Sequence, residues 1–240
     1  MKKRLLVLLF FSTLTLAHGQ LSGTYVADFR NKVEYYLKFL NDGQYLFEMI
    51  EHVTNDILGA RTMSIGNYSV EDKEVRLKDK VHNFQLSLVI VNDSLMMKNS
   101  FCFLKGKTFG FKSSYIYEMN LNWLKDYDSV WLEKNRIEYK KHNKRIFPLD
   151  SGDYLLKEFL FGSLRYCLTI NQDNTYRLYF KTMIISEGTW NREGVELVLY
   201  DTCLKHQFYL MIRKRSLISK LLPGDYEPSI LEISPSSRNN

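Results

Sequence analysis

Three cysteines are the side chains of this 240-residue chain best suited to covalent or redox chemistry: Cys102, Cys167 and Cys203. In an oxidising compartment two of them can form a disulfide and leave one free thiol. The alternative, three unpaired thiols that pack as small apolar side chains, carries equal weight because the spacing selects no pair. The cysteines therefore raise a question of redox state and do not by themselves indicate catalysis.

Two histidines stand in motifs that could begin a metal site. Cys203-x-x-His206 and Asp79-x-x-His82 each supply two kinds of ligand, but a structural zinc site takes four ligands. Neither motif has further ligands at a suitable spacing. We therefore interpret His82 and His206 as structural residues at the entry of a strand, and predict neither a metal nor a cofactor.

The sequence lacks the motifs of common catalytic sites. Neither Gly-x-Ser-x-Gly nor His-Glu-x-x-His occurs in it. Gly106-Lys107-Thr108 resembles the end of a phosphate-binding loop, but Phe101 occupies the place of the first glycine. The sequence therefore predicts no catalytic residue, and we expect a protein that is not an enzyme.

The first residues have the pattern of a signal peptide. Three cations precede the apolar run 5–11, and the small residues Ala17 and Gly19 have the spacing that signal peptidase recognises. We predict a signal peptide over 1–19 and a mature chain that begins at Gln20, with an uncleaved anchor as the alternative. No later stretch is apolar over the roughly 20 residues of a membrane span. We therefore expect no transmembrane segment after cleavage and a location in the periplasm or outside the cell.

The charge of the chain argues against nucleic-acid binding. The formal charge of +6 includes three signal-peptide cations, which leaves 30 Lys and Arg against 27 Asp and Glu in the mature chain, a net charge of +3. Residues 134–145 hold six Lys and Arg against Glu138 and contribute +5, so the remainder is close to neutral. We interpret this stretch as the solvated face of a linker, with contact to anionic lipid or polysaccharide as the alternative.

The mature chain contains two diverged copies of one module. Six blocks of similar residues recur in the same order, and their separation varies only between 120 and 131 residues. Chance could supply one or two such blocks, but not all six in order. The matching blocks are 22–25 and 151–154, 35–47 and 166–178, 64–68 and 186–190, 75–77 and 195–197, 82–88 and 206–212, and 93–95 and 215–217.

Each copy has the pattern of paired strands. Apolar and polar residues alternate before and after Asn41-Asp42-Gly43, which predicts a hairpin whose turn requires a positive φ; Asp173-Asn174 supplies it in the second copy. Gly66 and Gly188 lie inside strand-like runs and predict a bulge or a sharp bend. We predict a mainly β protein in which each module has about six antiparallel up-and-down strands, closed as a small barrel or curled as a sheet.

A segment between the modules breaks the β rhythm. Leu124, Tyr127 and Trp131 follow helical spacing, which predicts a helix near 120–135 that lies against a sheet or covers a barrel mouth. The predicted organisation is therefore a signal peptide over 1–19, a first β module over 20–98, a linker over 99–149, a second β module over 150–233 and a disordered tail over 234–240.

The order of these motifs resembles the lipocalin-like small β-barrel domains of bacterial envelope proteins. The resemblance rests on Ser-Gly-Thr-Tyr at 22–25, Asn-Asp-Gly-x-Tyr at 41–45 and Ser-x-Gly-x-Tyr at 64–68 before a Val-x-Leu strand, and it covers residues 21–98 and 150–222. It implies barrels that bind small apolar ligands or partner proteins. The chain lacks the lipid-bearing cysteine and the Cys-x-x-Cys pair of a similar copper-stress lipoprotein, so copper sensing is not implied.

Two function classes follow from these observations. In the first, an exported, non-catalytic envelope protein binds a small apolar ligand or a partner protein through its modules. In the second, the modules are filled barrels that serve as a structural adaptor in an envelope assembly. An enzyme of unknown class is the third alternative. An open interior lined by Tyr and Phe would indicate a ligand carrier, whereas interdigitated rings would indicate an adaptor.

Overall fold

Eight antiparallel strands close into a first barrel. The fold is described by a computed structural model for residues 21–29, 33–53, 56–113, 128–157, 164–180, 182–219 and 229–233. Each strand pairs with the next one in sequence, and the first pairs with the eighth to close the ring. The strands are β1 Gly23–Phe29, β2 Val33–Phe39, β3 Gln44–Val53, β4 Asp56–Glu71, β5 Glu74–Asp79, β6 Gln85–Val91, β7 Ser94–Asn99 and β8 Thr108–Ser113.

A second barrel repeats this order. It closes through a pairing of its last strand with its first. The mainly β fold of two repeated up-and-down modules is therefore confirmed, and the modules are closed barrels. The prediction of about six strands in each module was too low, because β8 and its counterpart lie where the two copies share no sequence block. The strands are β9 Gly152–Lys157, β10 Leu164–Ile170, β11 Thr175–Phe180, β12 Met183–Glu193, β13 Glu196–Asp201, β14 His206–Arg213, β15 Ser216–Ser219 and β16 Ser229–Ile233.

The glycines and turns highlighted by the repeat have steric reasons. Gly43 has a φ of 79° and Asn174 a φ of 62°, so both predicted hairpin turns use the left-handed region. A Cβ atom on Gly66 would collide with the carbonyl oxygen of Lys78. A Cβ atom on Gly188 would collide with the carbonyl oxygen of Tyr200. The adjacent strand thus comes too close for any side chain at these two positions.

The equivalence of the two copies differs from the predicted alignment beyond β4. Gly66 and Gly188, which lie 122 residues apart, make the same close approach to the next strand. In the first barrel Leu77 pairs with Leu86, and in the second Leu199 pairs with Phe208. Phe208 therefore corresponds to Leu86, and the predicted match of Phe84 with Phe208 was wrong by two residues. The match of His82 with His206 was wrong by the same two residues, and the match of 75–77 with 195–197 was wrong by two residues in the opposite direction.

One α-helix within the described residues, α1 Ser129–His142, connects the barrels. The Asp128 side chain caps it by accepting a hydrogen bond from the Trp131 amide at 2.7 Å. The predicted helix near 120–135 and α1 share residues 129–135, and α1 runs on to His142 through the Lys-rich and Arg-rich stretch read as linker, which consists of good helix formers. The first barrel also extends past residue 98, since β8 ends at Ser113.

Several predicted segments lie outside the described residues. These are the signal peptide over 1–19, the tail over 234–240 and the part of the predicted helix before residue 128. Within the part of the chain that the structure describes, no helix combines the length and the apolar character needed to cross a membrane.

Aromatic rings from different strands meet inside the first barrel. Phe47 of β3 lies 6.0 Å from Phe109 of β8 and 6.3 Å from Phe101, measured between ring centroids. Phe39 of β2 lies 4.8 Å from Tyr68 of β4 in an edge-to-face arrangement. These rings come from strands on different sides of the barrel, so they interdigitate across its interior and pack as a core.

Candidate binding site between the barrels

A cleft of about 510 Å³ lies between the two barrels and under α1. The turn between β5 and β6 forms one wall, the start of β14 forms the opposite wall, and one face of α1 covers the top. Its volume falls within the range of ordinary small-molecule sites. The lining residues are Val81, His82, Asn83, Ser129, Leu132, Glu133, Arg136, Lys205, His206, Gln207, Phe208, Tyr209 and Met211.

Asp79 shapes the wall that the first barrel contributes. Its Oδ1 atom accepts hydrogen bonds from the amides of Val81 at 2.9 Å and His82 at 2.7 Å. Its Oδ2 atom accepts one from the Ser64 hydroxyl at 2.8 Å, and Ser64 is in turn 2.6 Å from the Tyr45 hydroxyl. Burial, reinforced by the charge of Asp79, raises the pKa of Tyr45 well above its ordinary value, so its hydroxyl stays protonated.

The second barrel repeats this network at the opposite wall. Asp201 Oδ1 accepts hydrogen bonds from the amides of Cys203 at 2.8 Å and Leu204 at 2.6 Å, and the hydroxyls of Tyr176 and Ser186 lie 2.7 Å apart. Burial raises the pKa of the Asp201 carboxyl in spite of the hydrogen bonds it accepts. Both turns that border the cleft are therefore held by a buried carboxylate on the strand before them.

Imidazole and phenyl rings from both barrels pack together at the floor of the cleft. The ring centroids of His82 and Phe208 are 5.6 Å apart, and those of Phe84 and His206 are 6.2 Å apart. Each of these two contacts joins one barrel to the other. Burial, and then the nearby His82, lower the pKa of His206, so its ring is neutral at neutral pH.

Helix α1 bridges the outer faces of the two barrels. Trp131 and Leu132 in its first turns pack on an apolar cluster of the first barrel, formed by Leu46, Ile65 and Val81. This contact confirms that the helix lies against a sheet. It also explains why outward positions on β3 and β4 carry large aliphatic side chains.

The later turns of α1 attach to the second barrel through charged groups. Arg136 Nε lies 2.8 Å from Glu196 Oε1, and Lys140 Nζ lies 2.6 Å from Glu196 Oε2. The guanidinium carbon of Arg136 also stands 3.7 Å above the Tyr209 ring. Burial lowers the pKa of Arg136, but the hydrogen bonds and charges of Glu196 and Glu133 outweigh it, and the pKa lies above its ordinary value.

A disulfide between Cys102 and Cys203 fixes the barrels beside the cleft. Cys102 lies in the short 3-10 helix Cys102–Leu104 between β7 and β8, Cys203 lies in the turn before β14, and their Cα atoms are 5.4 Å apart. Of the two alternatives for the cysteines, the structure therefore has one disulfide and a free Cys167. Burial raises the pKa of the Cys167 thiol, and Asp153 contributes in the same direction.

The candidate metal motifs are used for structure. Cys203 is bonded to Cys102, which removes the thiolate that a Cys203-x-x-His206 site would need. Glu187 comes close enough to the two sulfur atoms to form a group of three possible ligands, all within 4.8 Å of one another. A metal there would require reduction of the disulfide. Asp79 uses its Oδ1 atom to hold the turn that contains His82, and its Oδ2 atom accepts the hydrogen bond from Ser64.

A second contact between the barrels lies away from the cleft. The Arg61 guanidinium donates a hydrogen bond to the Tyr166 hydroxyl at 2.8 Å and its carbon lies 4.2 Å above the Phe180 ring. The Tyr35 hydroxyl donates to the Met183 sulfur at 3.0 Å. Together with the disulfide and α1, these contacts hold the two barrels in one arrangement.

The sequence matches no protein-family model and no curated protein. Among solved structures, the chain is similar to the Cpx pathway activator NlpE from Escherichia coli, at 8% identity, with a TM-score of 0.27 over 90% of this chain and 94% of that chain. At this TM-score the similarity carries no argument about fold or function. The eight-stranded up-and-down barrels themselves have the architecture that lipocalins use.

Proposed function

We propose that this chain is an exported, non-catalytic binding protein of the bacterial envelope, in which two filled barrels form a rigid frame around a binding cleft. The observation that carries the proposal is the cleft of about 510 Å³, whose walls come from both barrels and whose roof is α1. A site of this kind exists only if the two barrels are fixed relative to each other. The disulfide, the helix and the Arg61 contact provide that fixation.

The ligand of the cleft is a small, predominantly apolar molecule. Leu132, Phe208 and Met211 offer apolar surface, while Lys205 and Gln207 place polar groups at the rim. Small-molecule sites likewise combine apolar surface with polar groups that orient the ligand. The interior of the first barrel is less suitable, because Phe47 packs there against Phe101 and Phe109.

Binding is favoured over catalysis because two charged groups beside the cleft serve structural contacts. Arg136 holds the buried Glu196, and Asp79 holds the turn at 80–83. An exported location is supported by the signal-peptide pattern and by the disulfide, which is stable in oxidising compartments. A structural adaptor in an envelope assembly is the second candidate, and the filled first barrel is the observation that favours it.

The test combines native mass spectrometry with a cleft-filling variant. The mass of protein purified from its own host is measured under native and under denaturing conditions. In a second experiment the protein is titrated with the fluorescent probe anilinonaphthalene sulfonate. Gln207→Trp fills the cleft from an exposed position, and Gln85→Trp places the same ring on β6 outside the cleft. We expect a bound small molecule, and probe affinity reduced about tenfold by Gln207→Trp alone.

Two outcomes would contradict the cleft as the site. If the two variants Gln207→Trp and Gln85→Trp bind the probe with equal affinity, the ligand binds elsewhere, for example in a barrel. The absence of both a retained molecule and probe binding would leave the structural adaptor as the better account.

A further inference from the structure

The solvent side of α1 carries a stripe of alternating aliphatic and basic residues. Val130, Lys134, Ile137 and Lys141 lie at helical spacings of four, three and four residues, so they share one face. The exposed fraction is 73% for Val130 and 56% for Ile137. Beyond the helix end, Ile146 is 66% exposed.

The basic side chains of this stripe are available to bind a partner, whereas the basic side chains that face the second barrel are not. Arg136 and Lys140 are used by Glu196. Within the described residues, Lys134, Lys141 and Lys144 make no ion pair. Without the two cations that pair with Glu196, residues 134–145 still hold four Lys and Arg against Glu138, so this surface has an excess of positive charge.

We propose that this outer face of α1, with the segment 144–146, docks on an anionic lipid surface. Basic side chains are attracted to acidic head groups, while exposed aliphatic side chains between them enter the boundary with the acyl chains. An anionic polysaccharide would use the lysines but would leave Val130, Ile137 and Ile146 exposed to water. The aliphatic residues therefore favour the lipid surface.

Docking by this face would leave the proposed cleft intact. The cleft is lined by Ser129, Leu132, Glu133 and Arg136, which belong to the other side of the same helix. The inference does not depend on the proposed ligand, because the stripe is exposed whether or not the cleft is filled.

The mature, disulfide-bonded protein is tested by co-flotation with vesicles. We expect binding to vesicles of phosphatidylglycerol and phosphatidylcholine, weakened by high salt, and little binding to phosphatidylcholine alone. Each lysine near such a surface contributes roughly fivefold to the partition coefficient, so the variant Lys134→Gln/Lys141→Gln/Lys144→Gln should lower it about a hundredfold. Val130→Ser/Ile137→Ser should lower it roughly tenfold, through loss of apolar burial.

The control removes the same net charge from the barrels. Lys73→Gln/Lys98→Gln/Lys105→Gln changes three exposed lysines of the first barrel and should bind vesicles nearly as well as the unmodified protein. Circular dichroism verifies that every variant is folded. Equal losses in the two triple variants, or equal binding to neutral vesicles, would overturn the proposal. Binding to an anionic polysaccharide without binding to vesicles would overturn it in favour of a polysaccharide partner.

Discussion

Arg136 of the connecting helix and Glu196 of the second barrel form an ion pair whose carboxylate is fully buried, with 2.8 Å between Nε and Oε1. Glu196 lies on β13, where its neighbours Leu197 and Leu199 belong to the barrel core. Its side chain points outward and is covered by α1. A buried carboxylate is stabilised only by close partners, so this pair determines where the helix lies.

Removal of Arg136 should therefore destabilise the protein. We expect Arg136→Ala to lower the free energy of unfolding by about 2–3 kcal/mol, less than the full cost of an unpaired buried charge because Lys140 remains. Arg76→Ala is the matched control, since Arg76 forms exposed ion pairs with Glu71 and Glu74 and should give no measurable change. Urea unfolding measures both variants. Equal stability of the two would contradict a structural role for the pair.

Gly66 and Gly188 should tolerate no side chain. Because a Cβ at either position would collide with a backbone carbonyl, we expect Gly66→Ala and Gly188→Ala each to cost about 2–4 kcal/mol in the free energy of unfolding. Gly110→Ala is the control, since nothing lies within 4 Å of a Cβ there. Thermal unfolding followed by circular dichroism compares the three. A Gly66→Ala variant as stable as Gly110→Ala would show that the strands approach less closely.

The disulfide should make stability sensitive to reductant. It closes a loop with a sequence separation of 101 residues, and bridges of this kind contribute about 2–4 kcal/mol. We expect reductant to lower the unfolding temperature of the unmodified protein and of Cys167→Ser, but not that of Cys203→Ser. Peptide mapping without reduction should recover a peptide that contains Cys102 linked to one that contains Cys203. A link through Cys167 would refute this pairing.

Local sequence patterns predicted strands and turns of this fold. They could not predict contacts between residues that are far apart in the sequence. The hairpin turn at Gly43 depends on the positive φ that glycine allows, and the close strand approach at Gly66 depends on its lack of a side chain; a single sequence displays both glycines. Ser64 on β4 pairs with Asp79, and two cations of α1 pair with Glu196, and no local spacing reveals these distant partners. The mistaken match of Phe84 with Phe208 has the same origin, because two His-x-Phe motifs look alike while strand pairing sets the true equivalence.

The free energy of unfolding should fall with acidification through His206. Its pKa in the folded protein is below the ordinary value of 6.5, because burial and the nearby His82 disfavour the charged ring. The unfolded chain therefore binds a proton at a higher pH than the folded chain. The contribution of His206 to the free energy of unfolding is fully present above pH 6.5, and it is lost as the pH falls from 6.5 through the folded pKa. Because His206 lines the cleft, acidification should also perturb ligand binding there.

The measurement is urea unfolding across this pH range for three proteins. We expect the unmodified protein to lose stability on acidification and His206→Gln to lose less of it. His142→Gln is the control, because it removes an exposed imidazole at the end of α1 and should retain the unmodified slope. If His206→Gln keeps the full slope, another group is responsible for it.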